Sequence, residues 1–215
     1  MPRVDDIAGR VTFKIVYYGP GLAGRSTNAQ CIISHIDPEY RAPASRVRLG
    51  DLTWDGESGT LSCAFTPRSL SLLPDRKQAW LRLVVPPAAN YIDARRRNCL
   101  NDVDGIVFVA DSQAARFEAN IDALEELKMH LDWYGINLAE VPRALQLNKQ
   151  DMPELVPTPD LIRELRVDSE PVFEAIASRG EGVFESLKAV VKQILARYCM
   201  GVPIVPVRKH PGDGF

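Results

Sequence analysis

Val11-Thr-Phe-Lys-Ile-Val-Tyr-Tyr18 runs directly into Gly19-Pro-Gly-Leu-Ala-Gly-Arg-Ser-Thr27, and the reading of this stretch decides the fold. The first half, over 11–18, is rich in β-branched and aromatic residues and reads as a strand. The second half has the frame of a phosphate-binding loop, G-x-x-x-x-G-K-[ST], with Arg25 standing where the frame has Lys. Gly19, Gly21 and Gly24 let backbone N–H groups turn inward, and the backbone of Leu22 and Ala23 belongs to the same cradle. Ser26 and Thr27 open a helix whose positive end faces the bound phosphates, and Ser26 is the candidate Mg2+ ligand. Arg25 keeps the positive charge but delivers it as a longer planar fork, which either reaches the phosphates from another angle or points elsewhere.

Asn148-Lys149-Gln150-Asp151 follows the apolar run 144–147 and reads as a device for recognising one purine base. An Asp carboxylate just beyond a buried strand accepts two parallel hydrogen bonds from the N1–H and exocyclic NH2 of guanine, which adenine cannot offer. The Asn148 amide holds the guanine N7 region and ties the loop together. The Lys149 stem lies along the base face with its ammonium in solvent. A polar loop after a strand is the plain alternative for such a short string. The order of the elements, strand, glycine loop, helix and then this string, argues against it.

These two segments, together with Val107-Phe-Val-Ala-Asp-Ser-Gln113 and Gly182-Val-Phe-Glu-Ser-Leu-Lys-Ala-Val190, resemble the MglA-like family of small Ras/Arf-type GTPases of bacterial gliding motility and cell polarity. The similarity runs from about Val11 to Tyr198. It implies an α/β, small GTPase (P-loop) fold: a central, mostly parallel six-stranded sheet with one antiparallel edge hairpin and helices on both faces. It further implies GTP or GDP with Mg2+ as ligands, Thr60 as a second Mg2+ ligand, and a roadblock-domain partner resembling MglB. By position, Ser178-Arg179 matches the family's last loop, where backbone N–H groups meet the guanine O6.

Several positions depart from that family. After the strand over 81–85 the family has a Gly whose N–H bonds the γ-phosphate, then a Gln that orients water; here they are Pro87 and Ala88. Proline has no N–H to donate. Losing a charge-assisted hydrogen bond of roughly 1.5–3 kcal/mol removes about one to two decades of preference for GTP over GDP. The family's intrinsic arginine aligns with Gly59, and Val84 replaces a polar residue near the Mg2+ water shell. Since phosphoryl transfer relies on positioning and charge stabilisation, with an arginine alone worth about 10^3–10^5 in rate, these changes converge on hydrolysis. Base recognition keeps every polar group it needs. The chain therefore reads as a degenerate member, a switch-like or constitutive guanine-nucleotide-binding module. A slow, partner-activated GTPase and a nucleotide-free pseudo-GTPase scaffold, with Arg25 or a side chain from the first switch segment filling the phosphate pocket, stay open beside it.

The composition suits one such domain over 11–200, with an N-terminal extension over 1–10 and a Pro/Gly-rich tail over 201–215. The 215 residues suffice for a sizeable core. A net charge of -2 offers no bulk attraction to nucleic acid or an anionic membrane. No apolar run reaches the ~20 residues of a spanning helix, and the start lacks a signal-peptide core, which points to the cytoplasm. Cys31, Cys63, Cys99 and Cys199 are widely spaced, and His35, His130 and His210 show no metal spacing, so a zinc site or disulfide framework is not expected.

Further along the chain, helix one is expected over 26–36, and the proline-bearing stretch that follows opens a long irregular segment through Gly59. Strands over 60–65 and 80–85 form the hairpin. Buried strands follow over 104–110 and 142–147, and a last one over 171–177. Helices are expected over 114–134, with Phe117, Ile121, Leu124, Leu127 and Leu131 inward, and over 183–197, with Phe184, Leu187, Val191, Ile194 and Leu195 inward. A short helix starts at Thr158. Arg95-Arg-Arg97 is either a patch for an acidic partner or the solvated face of a short helix. The tail is either an arm that binds a neighbour or a loosely held end.

Overall fold

Strand β2 (Arg10–Tyr18) lies between β6 (Gln78–Val85) and β7 (Gly105–Asp111), parallel to both. From β7 the parallel run continues through β8 (Arg143–Asn148) to β9 (Val172–Ala175). The computed structural model describes residues 2–42, 48–49, 52–55, 59–67, 73–88, 93–166 and 168–206. On the other side β5 (Thr60–Phe65) pairs antiparallel with β6, making the expected hairpin. Its register sets Leu61 opposite Val85 and Phe65 opposite Leu81.

Every residue of β7 and of β8 is buried, as parallel strands covered on both faces require. The covering helices are α1 (Arg25–Ser34), α2 (Asp93–Asn98), α3 (Phe117–Asp132), α4 (Thr158–Leu165) and α5 (Val183–Cys199). Helices α1 and α5 touch each other, while α3 touches both α2 and α4. On α3, Leu124, Leu127 and Leu131 are buried, with Phe117 and Ile121 packed against the core. On α5, Leu187, Val191 and Ile194 are buried, and Phe184 and Leu195 are partly so. The two helical periods thus place the residues that were read as inward.

Three regions carry more structure than the sequence suggests. Among the described residues the sheet has nine strands, three more than the six expected. Two of the additional ones, β3 (Arg48–Leu49) and β4 (Leu52–Asp55), lie in the segment read as irregular and extend the antiparallel edge beyond β5. Gly50-Asp51, between Leu49 and its partner Leu52, is the sequence signal for a two-residue hairpin that was there to be found. The third, β1 (Arg3–Asp5), belongs to the N-terminal extension and pairs antiparallel with β2. At the other end Ile204 and Val205 are buried and the Arg197 guanidinium donates to the Ile204 carbonyl, so the start of the tail is neither a free arm nor loosely held. The tail beyond residue 206, with His210, and the hairpin connection over 68–72 lie outside the described residues.

Because β2, β6, β7, β8 and β9 run in parallel, Tyr18, Val85, Asp111, Asn148 and Ala175 all end at one edge of the sheet. The segments that follow them meet there, where open α/β sheets bind ligands.

Candidate functional site

The loop after β2 is shaped by its glycines. Gly19 has φ 137°, and a Cβ there would come within 2.2 Å of the Val109 carbonyl oxygen. Gly24 has φ 98°, and its Cβ would come within 2.2 Å of Asn148 Nδ2. Leu22, between them, also adopts a left-handed φ of 67° and is 84% exposed, so its side chain is held out of the loop. Ser26 and Thr27 are exposed in the first turn of α1, where unpaired N–H groups and the helix dipole favour an anion.

Arg25 is buried, and its Nη1 donates to the Pro86 carbonyl at 3.2 Å. Burial, with nearby Arg96 second, lowers its pKa to about 10, which still leaves it charged at neutral pH. Among the described residues its guanidinium bonds a carbonyl rather than a carboxylate. Its fork is directed at the segment beyond β6.

The loop after β8 is joined to two others. Asn148 Nδ2 donates to the Ala23 carbonyl at 2.7 Å, and its Oδ1 accepts from the Ala177 N–H at 2.9 Å. The tying role is thus built, while these contacts engage both ends of the amide that was also read as holding N7. Gln150 adds a brace, its Nε2 donating to Ser112 Oγ at 2.9 Å. Lys149 departs from the expectation: its ammonium is not left in solvent but pairs with the fully buried Asp111 carboxylate at 2.6 Å. A carboxylate in low dielectric needs a cation, and Lys149, at φ 67°, is the near one. Asp151 lies at the lip. Among the described residues its carboxylate meets only Arg179 Nη2, at 4.0 Å.

Asp111 does more than end β7, since its Oδ1 accepts from the Gln113 N–H at 3.2 Å. It also faces Arg116 Nε at 3.9 Å, and Arg116 Nη2 in turn donates to the Gly21 carbonyl at 2.8 Å. A lone acid at the end of an apolar strand was the available signal. Ser178 and Arg179 are exposed, and with Ser26, Thr27, Cys31 and Leu61 they line a cleft of about 500 Å3. The structure therefore brings the first turn of α1 and the last loop to one concavity.

The segment beyond β6 is where the sequence reading changes most. Pro86 and Pro87 are buried, and Ala88 is exposed beside Gly21. Arg96 fits neither reading of the arginine triplet. It is 1% exposed and forks onto Glu126 with Nε–Oε1 and Nη2–Oε2 distances of 2.8 Å, while its Nη1 donates to the Pro87 carbonyl at 2.9 Å. Its guanidinium also lies 4.8 Å over the Tyr18 ring. Charge runs read as solvated faces by default, and only the approach of α3 supplies the carboxylate that lets one member be buried. Thr60 sits at the start of β5 with its hydroxyl 3.5 Å from the Cys99 sulfur.

The glycine cradle, the exposed Ser26 hydroxyl and the buried Arg25 cation suit a phosphate-bearing ligand with its metal. Among the described residues no group of three His, Cys, Asp or Glu side chains gathers to hold a metal alone. No protein-family model matches the chain. A curated relative does: the chain is 38% identical over 201 residues, 94% of its own length and 100% of the relative's, to the mutual gliding-motility protein MglA of Myxococcus xanthus (strain DK1622). With that coverage, a sheet whose parallel half runs β6-β2-β7-β8-β9, and the glycine cradle at its carboxyl edge, the chain belongs to the MglA family of small Ras/Arf-type GTPases.

Proposed function

We propose that this protein binds guanine nucleotide, GDP or GTP with Mg2+, and that its capacity to hydrolyse GTP is impaired, so that it serves as a binding module in bacterial motility or polarity. The supporting observation is the Asn148 amide, which links the phosphate loop at Ala23 to the last loop at Ala177 and leaves the Asp151 carboxylate at the lip. A pocket whose walls are tied in advance binds with little ordering cost. Asp151 then reads the guanine edge by accepting two hydrogen bonds. Gly21, Leu22, Ala23, Gly24 and Thr27 supply backbone to the phosphates, Arg25 the buried positive charge, and Ser178 and Arg179 the rim beside the base.

Ser26 would hold Mg2+ together with phosphate oxygens, and the ion would neutralise charge there. Thr60 would join it through its hydroxyl oxygen, which lies 3.5 Å from the Cys99 sulfur. The chemistry of cleavage is short of groups. Pro87 donates no N–H, Ala88 positions no water, and Arg25 is turned onto Pro86. Among the described residues no helix is long and apolar enough to cross a membrane. A cytoplasmic setting and a roadblock-domain partner resembling MglB complete the proposal.

The test is to denature the purified protein and identify any released nucleotide by chromatography, alongside thermal shift with Mg2+-GDP, Mg2+-GTP and Mg2+-ATP. Release of GDP or GTP, or stabilisation by guanine nucleotides alone, is expected, with phosphate release far below one turnover per minute, slower than typical enzymes by orders of magnitude. Stabilisation by ATP to the same degree would remove the role of Asp151. The contact between Arg25 and the Pro86 carbonyl favours a second reading, a scaffold without nucleotide, for which neither released purine nor any shift is the signature. Pro87→Gly restores the missing donor and should raise the GTP-to-GDP affinity ratio by roughly tenfold.

A further inference from the structure

Strand β8 is buried along its whole length, yet its interior carries a glutamine, Gln146. Gln146 and Asn148 are two residues apart and so lie on one face of the sheet. The Gln146 Nε2 donates to Asn28 Oδ1 at 2.9 Å and to Ser186 Oγ at 3.0 Å, with the Gly182 carbonyl beside them at 3.3 Å. Its neighbours dictate this orientation. Asn28 gives its own Nδ2 to the Gly24 carbonyl at 3.0 Å, which turns its oxygen toward Gln146, and Ser186 gives its hydroxyl proton to the Val183 carbonyl at 3.0 Å. All three groups around the Gln146 nitrogen are therefore acceptors.

Turned this way, Gln146 keeps its own oxygen buried, and among the described residues that oxygen has no hydrogen-bond partner. An apolar side chain would avoid this cost. What the glutamine supplies in return is a bridge. On one side Asn28 carries it to Gly24, the left-handed residue that ends the phosphate loop and starts α1. On the other it reaches Gly182, also left-handed, which starts α5. Gly182 directly follows the loop of Ser178 and Arg179, which the Ile176 and Glu181 backbones close with two hydrogen bonds. Both helix starts are capped by glycine, which has no side chain to fix them. Asn28 and Gln146 are fully buried and do not line the cleft, so a ligand there touches neither.

We infer that Gln146 is a positioning residue for the nucleotide, fixing the starts of α1 and α5 to each other so that one ligand fills the phosphate half and the base half together. The inference rests on the guanine-nucleotide reading and deepens it. Asn148 joins Ala23 to Ala177, and Gln146 joins Gly24 to Gly182 through the next side chain on the same face. One tie fixes the distance between two loops, whereas two ties in a row along β8 also fix their relative orientation. A ligand that spans both halves gains from that alignment, because its second contact is made without a further ordering cost. A ligand that fills one half gains nothing.

The experiment compares a spanning ligand with a half-ligand on full-length protein. Calorimetry reads the affinity for Mg2+-GDP, and competition against Mg2+-GDP reads that for Mg2+-pyrophosphate, which fills the phosphate half alone. Gln146→Met keeps the length of the side chain and loses its amide; it should weaken Mg2+-GDP by about tenfold and leave Mg2+-pyrophosphate within about twofold of wild type. Ser186→Ala removes one anchor on α5 and should weaken Mg2+-GDP by about threefold with the same split. This milder variant carries the test if the melting curve shows that Gln146→Met does not fold. A merely structural role would weaken both ligands alike, or lower the melting temperature with both affinities kept, and either result overturns the inference. So does a wild-type protein on which pyrophosphate fails to compete at tens of millimolar.

Should Mg2+-GDP not bind the wild-type protein, the proposed function fails on its own, and the bridge is judged by hydrogen exchange on protein alone. Gln146→Met should then raise exchange by about fivefold or more over both 26–30 and 182–187, with 105–111 in β7 within about twofold of wild type. An increase confined to one helix start, or shared by β7, overturns the bridge.

Discussion

The loop after β8 and the segment after β6 leave the same edge of the same sheet, yet they use their polar groups in opposite ways. After β8, Asn148 spends its amide on two neighbouring loops and Lys149 on Asp111, and the next carboxylate, Asp151, is left facing outward. After β6, both carbonyls are drawn inward by Arg25 and Arg96, and the outward residue is the methyl of Ala88. One segment is braced so that a polar group can face a ligand. The other is braced so that nothing in it needs one. Rigidity by itself therefore does not reveal function; what matters is which group the bracing leaves free.

The strongest way to break the comparison is Glu126→Ala. It leaves the Arg96 guanidinium buried without its carboxylate, and a loss of about 3–5 kcal/mol is expected in urea denaturation. A loss below about 1 kcal/mol would mean that the bracing beyond β6 is solvated and of little consequence. Asn148→Ala acts on the other side, leaving the Ala23 carbonyl and the Ala177 N–H without their partner, and should cost about 2–4 kcal/mol while abolishing guanine-nucleotide stabilisation. Retained nucleotide binding in that variant would separate the tie from the pocket.

Asp104 offers a control at the far end of β7, remote from both loops. It accepts from the Lys14 N–H at 2.8 Å, its other oxygen is buried without a partner, and burial raises its pKa to about 6. The folded form holds its proton more tightly than the unfolded chain, so the stabilisation is full below about pH 4 and is lost as pH rises to about 6, a change on the order of 2–3 kcal/mol. Asp104→Asn should flatten that fall in stability measured across the same window, and should leave base preference untouched. The smallest effect belongs to Asp151→Asn, which exchanges an acceptor for a donor: guanine affinity should drop by about one to two decades, with xanthine nucleotide admitted and stability unchanged. Calorimetry with the two nucleotides reads it.

Much of the fold is legible because hydrophobic period and glycine chemistry are local. The strand over 11–18, the inward residues of α3 and α5, and the hairpin over 60–65 and 80–85 come close to the observed β2, α3, α5, β5 and β6. What escaped was also local in part, since Gly50-Asp51 is a sequence signal for joining two paired strands. Lys149 and Arg96 are different cases. Both were expected to face water, as long cations on loops and short helices do, and both instead meet carboxylates that lie 38 and 30 residues away in the chain.

By itself, the sequence determined the parallel sheet, the glycine loop at its edge, the Asn-Lys-x-Asp string and the absence of an N–H at Pro87, because each follows from side-chain periodicity or from the covalent nature of a residue. Tertiary structure alone decided where the charges went. A guanidinium or ammonium enters the interior only when a carboxylate, a carbonyl or an aromatic face arrives to meet it, and Glu126, Asp111, Pro86 and Tyr18 reach Arg96, Lys149 and Arg25 only after the sheet and α3 have closed around them.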